Sequence, residues 1–334
     1  MKPIVSTAEP YRSVVTARAP GTTRLSGMAG RFAPSPTGEL HLGNLRTALV
    51  AWLAARSTGR RFVVRMEDLD RVTSAVDHER RQLDDLAALG LDWDGEVVRQ
   101  SERFALYLAR IDELDAGGRV YRCYCTRREI QAEIAAAASA PHEHLPDGAY
   151  PGTCRDLGDE DRAAREETGR RPALRLRTDG EWVDFTDRVL GEMTGRVDDV
   201  VLARADGVPA YNLAVVVDDA LQEIDQVVRA DDLASSTPRQ ILLQRLLGFA
   251  EPEYLHVPLV LGADGQRLAK RHGAVTLADL AADGWAPSEV LRVLARSLDL
   301  TRHDEPNVGL EQLVERFDPA ELPNDPITLD ELLG

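Results

Sequence analysis

The spacing of apolar residues predicts alternating strands and helices over the first third of the chain. Order begins with a strand at Arg31-Phe32-Ala33, and the short apolar segment 61–66 predicts a second strand. Between them, Gly59 ends a helix that has one apolar face, formed by Leu45, Ala48, Leu49, Trp52 and Leu53. Residues 76–90 predict another helix. This order of elements predicts an α/β fold with a doubly wound parallel sheet.

The pattern changes in the middle of the chain and later returns. Over 121–195, a stretch rich in Pro and Gly and short β segments predict an inserted α+β subdomain. From 199 we expect the parallel pattern to resume, with a turn at 205–209 between two strands and the second strand at 211–219. A further strand follows at 254–262, and residues 276–334 are predicted to be a short, mostly helical C-terminal region.

Residues 1–29 show no clear apolar period and are rich in Ser, Thr, Ala, Pro and Gly. We interpret them as a disordered tail or as a wrongly assigned start, because Met28 directly precedes the first strand. A targeting peptide is a weaker third alternative, since the segment lacks the continuous apolar stretch of a signal peptide.

The length, composition and charge of the chain exclude several classes of protein. A chain of 334 residues suggests about two domains, and 43% apolar with 29% charged residues is typical of a folded globular protein. No apolar run approaches the roughly 18 residues that span a bilayer, so we expect a cytoplasmic protein with no membrane partner. The net charge of -16 excludes a simple polycationic nucleic-acid binder, but it leaves room for a local basic groove.

Lysine is rare in this chain, because Lys2 and Lys270 are the only two among 40 basic residues. Arginine serves wherever a generic cation is enough, and the two side chains differ in shape, hydration and titration. A lysine at position 270, in the Gly-flanked segment GADGQRLAKRHG, therefore indicates a specific role rather than a surface charge.

The three cysteines, Cys123, Cys125 and Cys154, lie close together in the sequence. Two cysteines one residue apart rarely suit a mutual disulfide, and the cytoplasm is reducing. We therefore predict one zinc ion per chain, which needs a fourth ligand. The candidates for this ligand are His142, His144 and Tyr150. Histidine is the better intrinsic zinc ligand, and three free buried thiols are the alternative to a metal site.

The segment PSPTGELHLGN at 34–44 is typical of an anion site. A Pro-rich bend that runs into a helix N-terminus presents free backbone N–H groups and the positive end of the helix dipole. His41 can donate a hydrogen bond to phosphate there, and Gly43 allows a planar base to lie on the backbone. The whole string is too specific for an ordinary corner between a strand and a helix.

The same string resembles the HIGH signature of class I aminoacyl-tRNA synthetases in its glutamyl form, with Asn44 where the family often has a second histidine. Further motifs follow in the family's order: RMEDLD at 65–70, YNLAVVVDD at 211–219, RADDLASSTPRQ at 229–240 and RLAKR at 267–271, which is similar to a degenerate KMSKS loop. The 211–219 and 229–240 motifs resemble the strand of the amino-acid site and its following helix. The resemblance implies a Rossmann-like catalytic core in two halves, 30–120 and 196–275, around the inserted zinc-binding subdomain.

The resemblance implies a ligase that joins glutamate to the α-phosphate of ATP, with Mg²⁺ accompanying the ATP. It implies that glutamate contacts Arg31, Phe32, Ala33, Pro34, Ser35, Glu67, Tyr211 and Arg229. In that set Arg31, Tyr211 and Arg229 match the positions that hold the side-chain carboxylate, and Glu67 matches the position that holds the α-amino group. ATP is implied to contact Thr37, His41, Gly43, Asn44 and Lys270, of which His41 and Lys270 are the catalytic candidates.

Two details qualify these roles. The family pattern Cys-x-Cys … Tyr-x-x-x-Cys is similar to the cysteine region here, and it favours Tyr150 as the fourth zinc ligand. Ala269 stands where the loop signature has Ser, which removes one hydroxyl near the phosphates. Developing charge on phosphate needs preorganised donors and cations rather than a protein nucleophile, so Lys270 fits the expected chemistry.

The chain resembles a short branch of the family more than the full-length glutamyl enzymes. Only residues 272–334 follow RLAKR, where the full-length enzymes carry a helical anticodon-binding domain, and Ala220 replaces their usual His. The short branch activates glutamate without tRNA and attaches it to queuosine in the anticodon of tRNA(Asp), which makes that RNA the implied partner of a monomeric enzyme. A truncated glutamyl-tRNA synthetase acting on the 3′ end of tRNA(Glu) and a non-catalytic RNA-binding module are the alternatives.

Overall fold

The computed structural model describes residues 27–137, 149–262, 264–268, 275–301, 305 and 308–334. Several sequence predictions concern residues outside these ranges. They are the tail, of which only residues 27–29 are described, the candidate ligands His142 and His144, and the loop residues Ala269 and Lys270.

The described strands form one large sheet, one small sheet and a two-stranded pair. They are β1 (Ala29–Phe32), β2 (Arg61–Met66), β3 (Val98–Arg99), β4 (Val120–Cys123), β5 (Ala173–Leu176), β6 (Trp182–Asp187), β7 (Gly191–Arg196), β8 (Val201–Ala203), β9 (Ile224–Ala230), β10 (Glu253–Val257), β11 (Val260–Leu261) and β12 (Ile327–Thr328). The large sheet has the order β3-β2-β1-β9-β10-β6-β7, and its neighbours pair in parallel except for the hairpin β6–β7. The predicted parallel sheet is confirmed, and its strand order reverses at β1.

Helices cover both faces of this sheet, and the short C-terminal elements are mostly helical, as predicted. The helices are α1 (Leu42–Ser57), α2 (Val76–Ala88), α3 (Phe104–Ala116), α4 (Arg127–Ala137), α5 (Asp159–Glu167), α6 (Tyr211–Leu221), α7 (Thr237–Leu246), α8 (Leu277–Ala282), α9 (Pro287–Arg296), α10 (Leu310–Arg316) and α11 (Leu329–Leu333). Across the residues that the structure describes, none of these helices combines the length and the apolar character needed to cross a membrane.

Helix α1 forms the centre of the larger hydrophobic core. It is apolar on more than one face because it lies between the sheet and the C-terminal helices α9 and α10. The five residues predicted to share its apolar face are all buried. The buried Arg46 of α1 donates hydrogen bonds to Pro258 O (2.8 Å) and Ser297 O (3.1 Å). These contacts hold the N-terminal half of α1 firmly next to the cavity described below.

The prediction of a strand at 211–219 is wrong, because Tyr211–Leu221 forms helix α6. Three consecutive β-branched residues, Val215-Val216-Val217, favour a strand by propensity. Residues 213–219 are all buried, since α6 packs against α3, α7 and β9. A helix buried on every side lacks the period that distinguishes it from a buried strand in the sequence.

Two β segments belong to different sheets from those predicted. The segment EWVDFTD was placed in the inserted subdomain, but its strand β6 pairs with β10 of the large sheet through Tyr254 and Asp187. Strand β8 was placed in the resumed parallel core, but it pairs antiparallel with β5 in the small sheet β4-β5-β8. Both segments are short, and their local patterns carry no information about a distant partner. The limits of the predicted domains remain predictions.

Candidate functional site

A cavity of about 550 Å³ opens at the C-terminal ends of β1, β2 and β9, where the strand order of the large sheet reverses. Parallel α/β sheets bind their ligands at such a reversal. The cavity is lined by most of the residues predicted for ATP and glutamate: Arg31, Phe32, Ala33, Pro34, Ser35, Thr37, His41, Asn44, Glu67, Tyr211 and Arg229. Gly43 lines a smaller adjoining cavity together with His41 and Asn44. Lys270 is outside the described residues.

Arg229 lies at the end of β9, and its guanidinium group is held on three sides. Its Nε donates to His256 Nε2 (3.0 Å), its Nη1 to Gln240 Oε1 (2.8 Å) and its Nη2 to Thr237 Oγ1 (2.7 Å). A guanidinium group has five N–H donors, so these bonds leave two for a ligand. The side chain is buried and lines the cavity, which suits a fixed carboxylate receptor.

His256 and Asp187 were not predicted from the sequence. His256 lies on β10 directly beside Arg229, and its Nδ1 is 2.6 Å from Asp187 Oδ2. Burial lowers the pKa of His256, so the ring is neutral. Burial alone would raise the pKa of Asp187, but hydrogen bonds from His256 and the backbone hold it below its usual value. A histidine inside the otherwise apolar segment YLHVPLVLG was the one available signal.

A second buried network joins the neighbouring strands β1 and β2. Arg31 Nη1 donates to Val228 O (2.7 Å), and its Nε lies 3.7 Å from Asp219 Oδ1. Arg65, which the sequence analysis did not single out, lies 2.8 Å from the same Asp219 oxygen and 3.6 Å from Glu67. Burial disfavours the charge on Arg65, but Asp219 and Glu67 hold its pKa above the usual value. Arg65 therefore carries its charge inside the sheet, whereas burial lowers the pKa of Arg31 although Asp219 opposes the shift.

Glu67 follows β2 and is the acidic group of the cavity that stands nearest to these arginines. Its backbone N–H donates to Pro34 O (2.9 Å), which ties it to the bend after β1. Burial raises the pKa of Glu67 to about 7, although Arg65 and Arg31 oppose the shift. A positively charged ligand beside Glu67 would favour its ionised form. Glu67 is therefore suited to receive an ammonium group.

His41 caps the N-terminus of α1 by a reciprocal pair of hydrogen bonds with Asn44. Asn44 N donates to His41 Nδ1 (3.3 Å), and His41 N donates to Asn44 Oδ1 (3.2 Å). Leu42 N donates to Val275 O (3.0 Å), so fewer backbone N–H groups are free here than the sequence suggested. Burial and the nearby Arg267 lower the pKa of His41 to about 4. The neutral ring can present its Nε2–H to phosphate, but it supplies no positive charge.

Arg267, from the basic motif at 267–271, lies near His41 in the cavity. Its guanidinium forms an ion pair with Asp232, and both residues line the cavity. Arg267 opens the RLAKR motif whose lysine, Lys270, lies outside the described ranges. Arg267 itself also lines the smaller adjoining cavity together with His41, Gly43 and Asn44.

The three cysteines converge with Tyr150 at the end of β4. Their sulfur atoms lie within 4.8 Å of one another. The Tyr150 hydroxyl oxygen lies 3.3 Å from Cys123 Sγ and 3.5 Å from Cys125 Sγ, and it accepts a hydrogen bond from Cys154 N (2.9 Å). Three thiols, two of them buried, and a phenol converge here into a donor set that could hold a metal ion.

Burial and mutual hydrogen bonds shift the pKa values of the groups in this cluster, and that of Cys154 is lowered, against the effect of burial, by hydrogen bonds from Tyr124 N, Cys125 and Tyr150. Burial raises the pKa of the Cys125 thiol to about 12 and holds that of the Tyr150 hydroxyl above its usual value. A bound divalent cation acts in the opposite direction, because it stabilises thiolate and phenolate. The Arg175 guanidinium lies over the Tyr150 ring, 3.7 Å from its centre, and helps to fix that ring.

Comparison with known proteins identifies relatives over nearly the whole described chain. The model of the family "tRNA synthetases class I (E and Q), catalytic domain" matches residues 28–325. A glutamyl-Q tRNA(Asp) synthetase of Nocardia farcinica is 59% identical over 90% of this chain and 92% of its own length. A protein of the same name from Symbiobacterium thermophilum is 49% identical over 90% of this chain and 96% of its own length. A glutamate–tRNA ligase of Nitrosospira multiformis is 43% identical, and the match spans 62% of that protein.

The fold is also found among solved structures. The crystal structure of a glutamate tRNA ligase from Elizabethkingia meningosepticum, in complex with its amino acid, superposes with a TM-score of 0.77 at 24% sequence identity. The match covers 92% of this chain and 68% of that one. This similarity establishes the class I synthetase fold of the parallel sheet and its helices.

Proposed function

The chain belongs to the class I tRNA synthetases of the glutamyl and glutaminyl (E and Q) type, and we propose that it activates L-glutamate with ATP and transfers it to queuosine in the anticodon of tRNA(Asp). The observation that carries the proposal is the ranking of the relatives. Three proteins named glutamyl-Q tRNA(Asp) synthetase are 59%, 49% and 54% identical to this chain, whereas five glutamate–tRNA ligases are 42% to 44% identical.

Recognition of glutamate falls to the buried end of the cavity. Arg229, with two N–H donors left for a ligand, and Arg31 receive the side-chain carboxylate, assisted by the hydroxyl groups of Tyr211 and Ser35. Glu67 receives the α-ammonium group. The backbone of Phe32, Ala33 and Pro34 forms the wall between these groups. Buried groups held by neighbours lose little entropy on binding, which favours selectivity.

Activation takes place at the other end. An oxygen of the glutamate α-carboxylate attacks the α-phosphorus of ATP, a P–O bond forms, and pyrophosphate leaves with the electron pair of the broken bond. Thr37, His41 and Asn44 bind the nucleotide as neutral donors, Gly43 leaves space for the base, and Lys270 supplies positive charge to the phosphates. Mg²⁺ enters with ATP and neutralises phosphate charge.

Transfer follows without any covalent link to the protein. A hydroxyl oxygen of the queuosine cyclopentene ring attacks the carbonyl carbon of the adenylate and an ester forms. The bond from that carbon to the phosphate oxygen breaks, AMP leaves with its electron pair, and the hydroxyl proton is released. Anticodon-loop bases can be unstacked and bound singly, so this acceptor can enter an open cavity.

We also propose that Cys123, Cys125, Cys154 and Tyr150 hold one zinc ion with a structural role. The convergence of their four ligand atoms supports this assignment. Elemental analysis should find about one zinc per chain, as expected for a closed four-ligand site. Tyr150→Phe should weaken zinc retention in a competition with a chelator, whereas the double change of His142 and His144 to Ala should not. Loss of zinc in the histidine variant alone would assign the fourth ligand to a histidine.

The acceptor is tested by charging purified RNAs with radioactive glutamate. We expect label on tRNA(Asp) that carries queuosine and none on the same tRNA with guanosine at that position. Nuclease digestion should place the label on the anticodon fragment. Label on the 3′ end of tRNA(Glu) would identify a glutamyl-tRNA synthetase instead, and no label on any RNA or adenylate would indicate a binding module. A monomeric state and a cytoplasmic location remain predictions.

A further inference from the structure

Three buried side chains of the large sheet form a continuous chain of hydrogen bonds that ends at the cavity. Asp187 ends β6, His256 lies on β10 and Arg229 lies on β9, so the chain crosses three neighbouring strands. Asp187 and His256 have fully buried side chains and do not line the cavity. Neither of them was assigned any role above, yet ionisable groups are costly to bury unless they are paired.

The backbone fixes the orientation of the Asp187 carboxylate. Its Oδ1 accepts hydrogen bonds from the backbone N–H groups of Val189 (2.9 Å), Leu190 (2.9 Å) and His256 (3.2 Å). Only Oδ2 faces the imidazole ring, 2.6 Å from His256 Nδ1. A carboxylate oxygen in this position accepts a proton donor, so the ring carries its hydrogen on Nδ1.

This tautomer leaves a lone pair on the other ring nitrogen. His256 Nε2 accepts the Nε–H of Arg229 at 3.0 Å. Thr237 Oγ1 lies 3.3 Å from the same nitrogen; it already accepts from Arg229 Nη2, and its hydroxyl hydrogen can be donated to Nε2. A hydrogen on Nε2 would place two donors, Nε2–H and Arg229 Nε–H, against each other, and a doubly protonated ring would also bring two positive charges together. Together with Gln240 and Thr237, this acceptor sets the plane and rotation of the Arg229 guanidinium.

We propose that Asp187 and His256 are positioning residues for substrate recognition: they fix the tautomer that aims the two remaining N–H donors of Arg229 at the side-chain carboxylate of glutamate. This inference rests on the proposed function, in which Arg229 receives that carboxylate. Neither residue touches the substrate. Their effect is therefore confined to the affinity for glutamate and to the discrimination against glutamine, whose amide has one acceptor oxygen fewer.

Asp187→Asn tests the tautomer with a minimal change of shape. Three backbone N–H groups hold the amide oxygen at the Oδ1 position, so the amide nitrogen faces His256 and donates to Nδ1. The ring then carries its hydrogen on Nε2, against Arg229. Nitrogen NMR of labelled protein should show His256 protonated on Nδ1 in the wild type and on Nε2 in this variant. The signal is assigned by its absence from the spectrum of His256→Gln.

The kinetic test uses pyrophosphate exchange with glutamate and ATP. In Asp187→Asn and His256→Asn we expect the KM for glutamate to rise about 10- to 100-fold, because a hydrogen bond to a charged group is lost or reversed. The KM for ATP and kcat should stay within about threefold of the wild type, since no group that contacts the phosphates changes. His256→Gln should restore most of the affinity, because its amide oxygen can take the position of Nε2. Tyr254→Phe is the matched control on the same strand, because it keeps the ring beside Arg229 and His256 and removes only the hydroxyl that is bonded to Gln244.

The outcomes separate the two proposals. An inactive wild type would overturn the proposed function and this inference with it. An active wild type with an unchanged KM for glutamate in Asp187→Asn, or with His256 protonated on Nε2 before any substitution, would overturn the inference alone. A fall in kcat and in the melting temperature, together with a rise in the KM values for both glutamate and ATP, would indicate that the pair is purely structural. That result would also overturn the inference.

Discussion

The two ends of the cavity differ in how their polar groups are held. At the glutamate end, the side chains of Arg229 and Arg31 are buried and that of Glu67 is about 10% exposed, and strands of the sheet fix each of them through buried partners. At the phosphate end, His41 is neutral and Arg267 is paired with Asp232 on the surface side of the cavity. In the proposed function, the first end recognises one carboxylate and one ammonium group. The second end then offers neutral donors and the charge of Lys270 to a nucleotide that brings its own Mg²⁺.

This contrast separates affinity from turnover. A group that contacts glutamate equally before and during the reaction changes KM, whereas a charge that acts on phosphate as the transition state forms changes kcat. Substitutions at the two ends should therefore give different kinetic signatures. The predictions below test that division.

The largest effect is expected at the phosphate end. Lys270→Ala should lower kcat for adenylate formation about 100- to 1000-fold, because one preorganised electrostatic donor is removed. The KM for glutamate should hardly change, and Lys270→Arg should also be impaired, since a planar fork replaces a compact charge. Pyrophosphate exchange measures kcat and the KM for glutamate in the wild type and in both variants. Near-normal turnover in Lys270→Ala would show that Lys270 has no part in the mechanism. It would also contradict the proposed difference between the two ends of the cavity.

The second prediction concerns the glutamate end. Arg229→Lys should raise the KM for glutamate on the order of 100-fold, because lysine cannot keep two donors aimed at a carboxylate while bonding its neighbours. Turnover at saturating glutamate should fall much less. Arg245→Lys is the matched control, since Arg245 pairs with Glu251 on the surface. A loss of kcat without a change in the KM for glutamate would indicate that Arg229 acts at the phosphate end instead of the glutamate end.

The third prediction is that kcat/KM for glutamate depends on pH through Glu67, at the glutamate end of the cavity. The pKa of Glu67 is raised to about 7, so the group is protonated below that pH and ionised above it. Only the ionised form binds an ammonium group, so kcat/KM for glutamate should fall about tenfold per pH unit as the pH decreases below 7.

Glu67→Gln supplies the control for this profile. The variant should bind glutamate weakly at every pH and should show a flat profile between pH 5.5 and 8. The KM for ATP should be flat in both proteins, because His41, with a pKa of about 4, does not titrate there. A slope that persists in Glu67→Gln would assign the titration to another group.

The smallest effect is a gain. Ala269→Ser restores a hydroxyl near the phosphates, and one additional hydrogen bond should raise kcat by about two- to tenfold. The KM for glutamate should be unchanged. A rise in glutamate affinity with no change in kcat would show that the loop reaches the other end of the cavity.

The cavity residues that lie in continuous motifs could be predicted from the sequence. Arg31, Glu67 and Arg229 each lie in a short segment that resembles the family, and the structure brings them together. His256, Asp187 and Arg65 could not be predicted, because their roles depend on partners that are distant in the sequence, such as Asp219 for Arg65, and that only the strand order brings near.

The fold shows the same limit. Strands β1 and β2 and helix α1 follow from local apolar patterns, because each has one recognisable period or a short apolar run. Helix α6 was read as a strand because burial on all sides removes that period. Strands β6 and β8 were each assigned to the wrong sheet because strand pairing is a long-range property.

Pyrophosphate exchange in the absence of RNA, with glutamate and glutamine compared at equal concentrations, tests the central claim most directly. A glutamate end that is complete and fixed by buried partners should support exchange with glutamate without any tRNA. Glutamine should give at least about 100-fold lower kcat/KM, because its amide leaves an arginine donor without an acceptor. Exchange that requires tRNA, or that proceeds equally with both amino acids, would contradict the account.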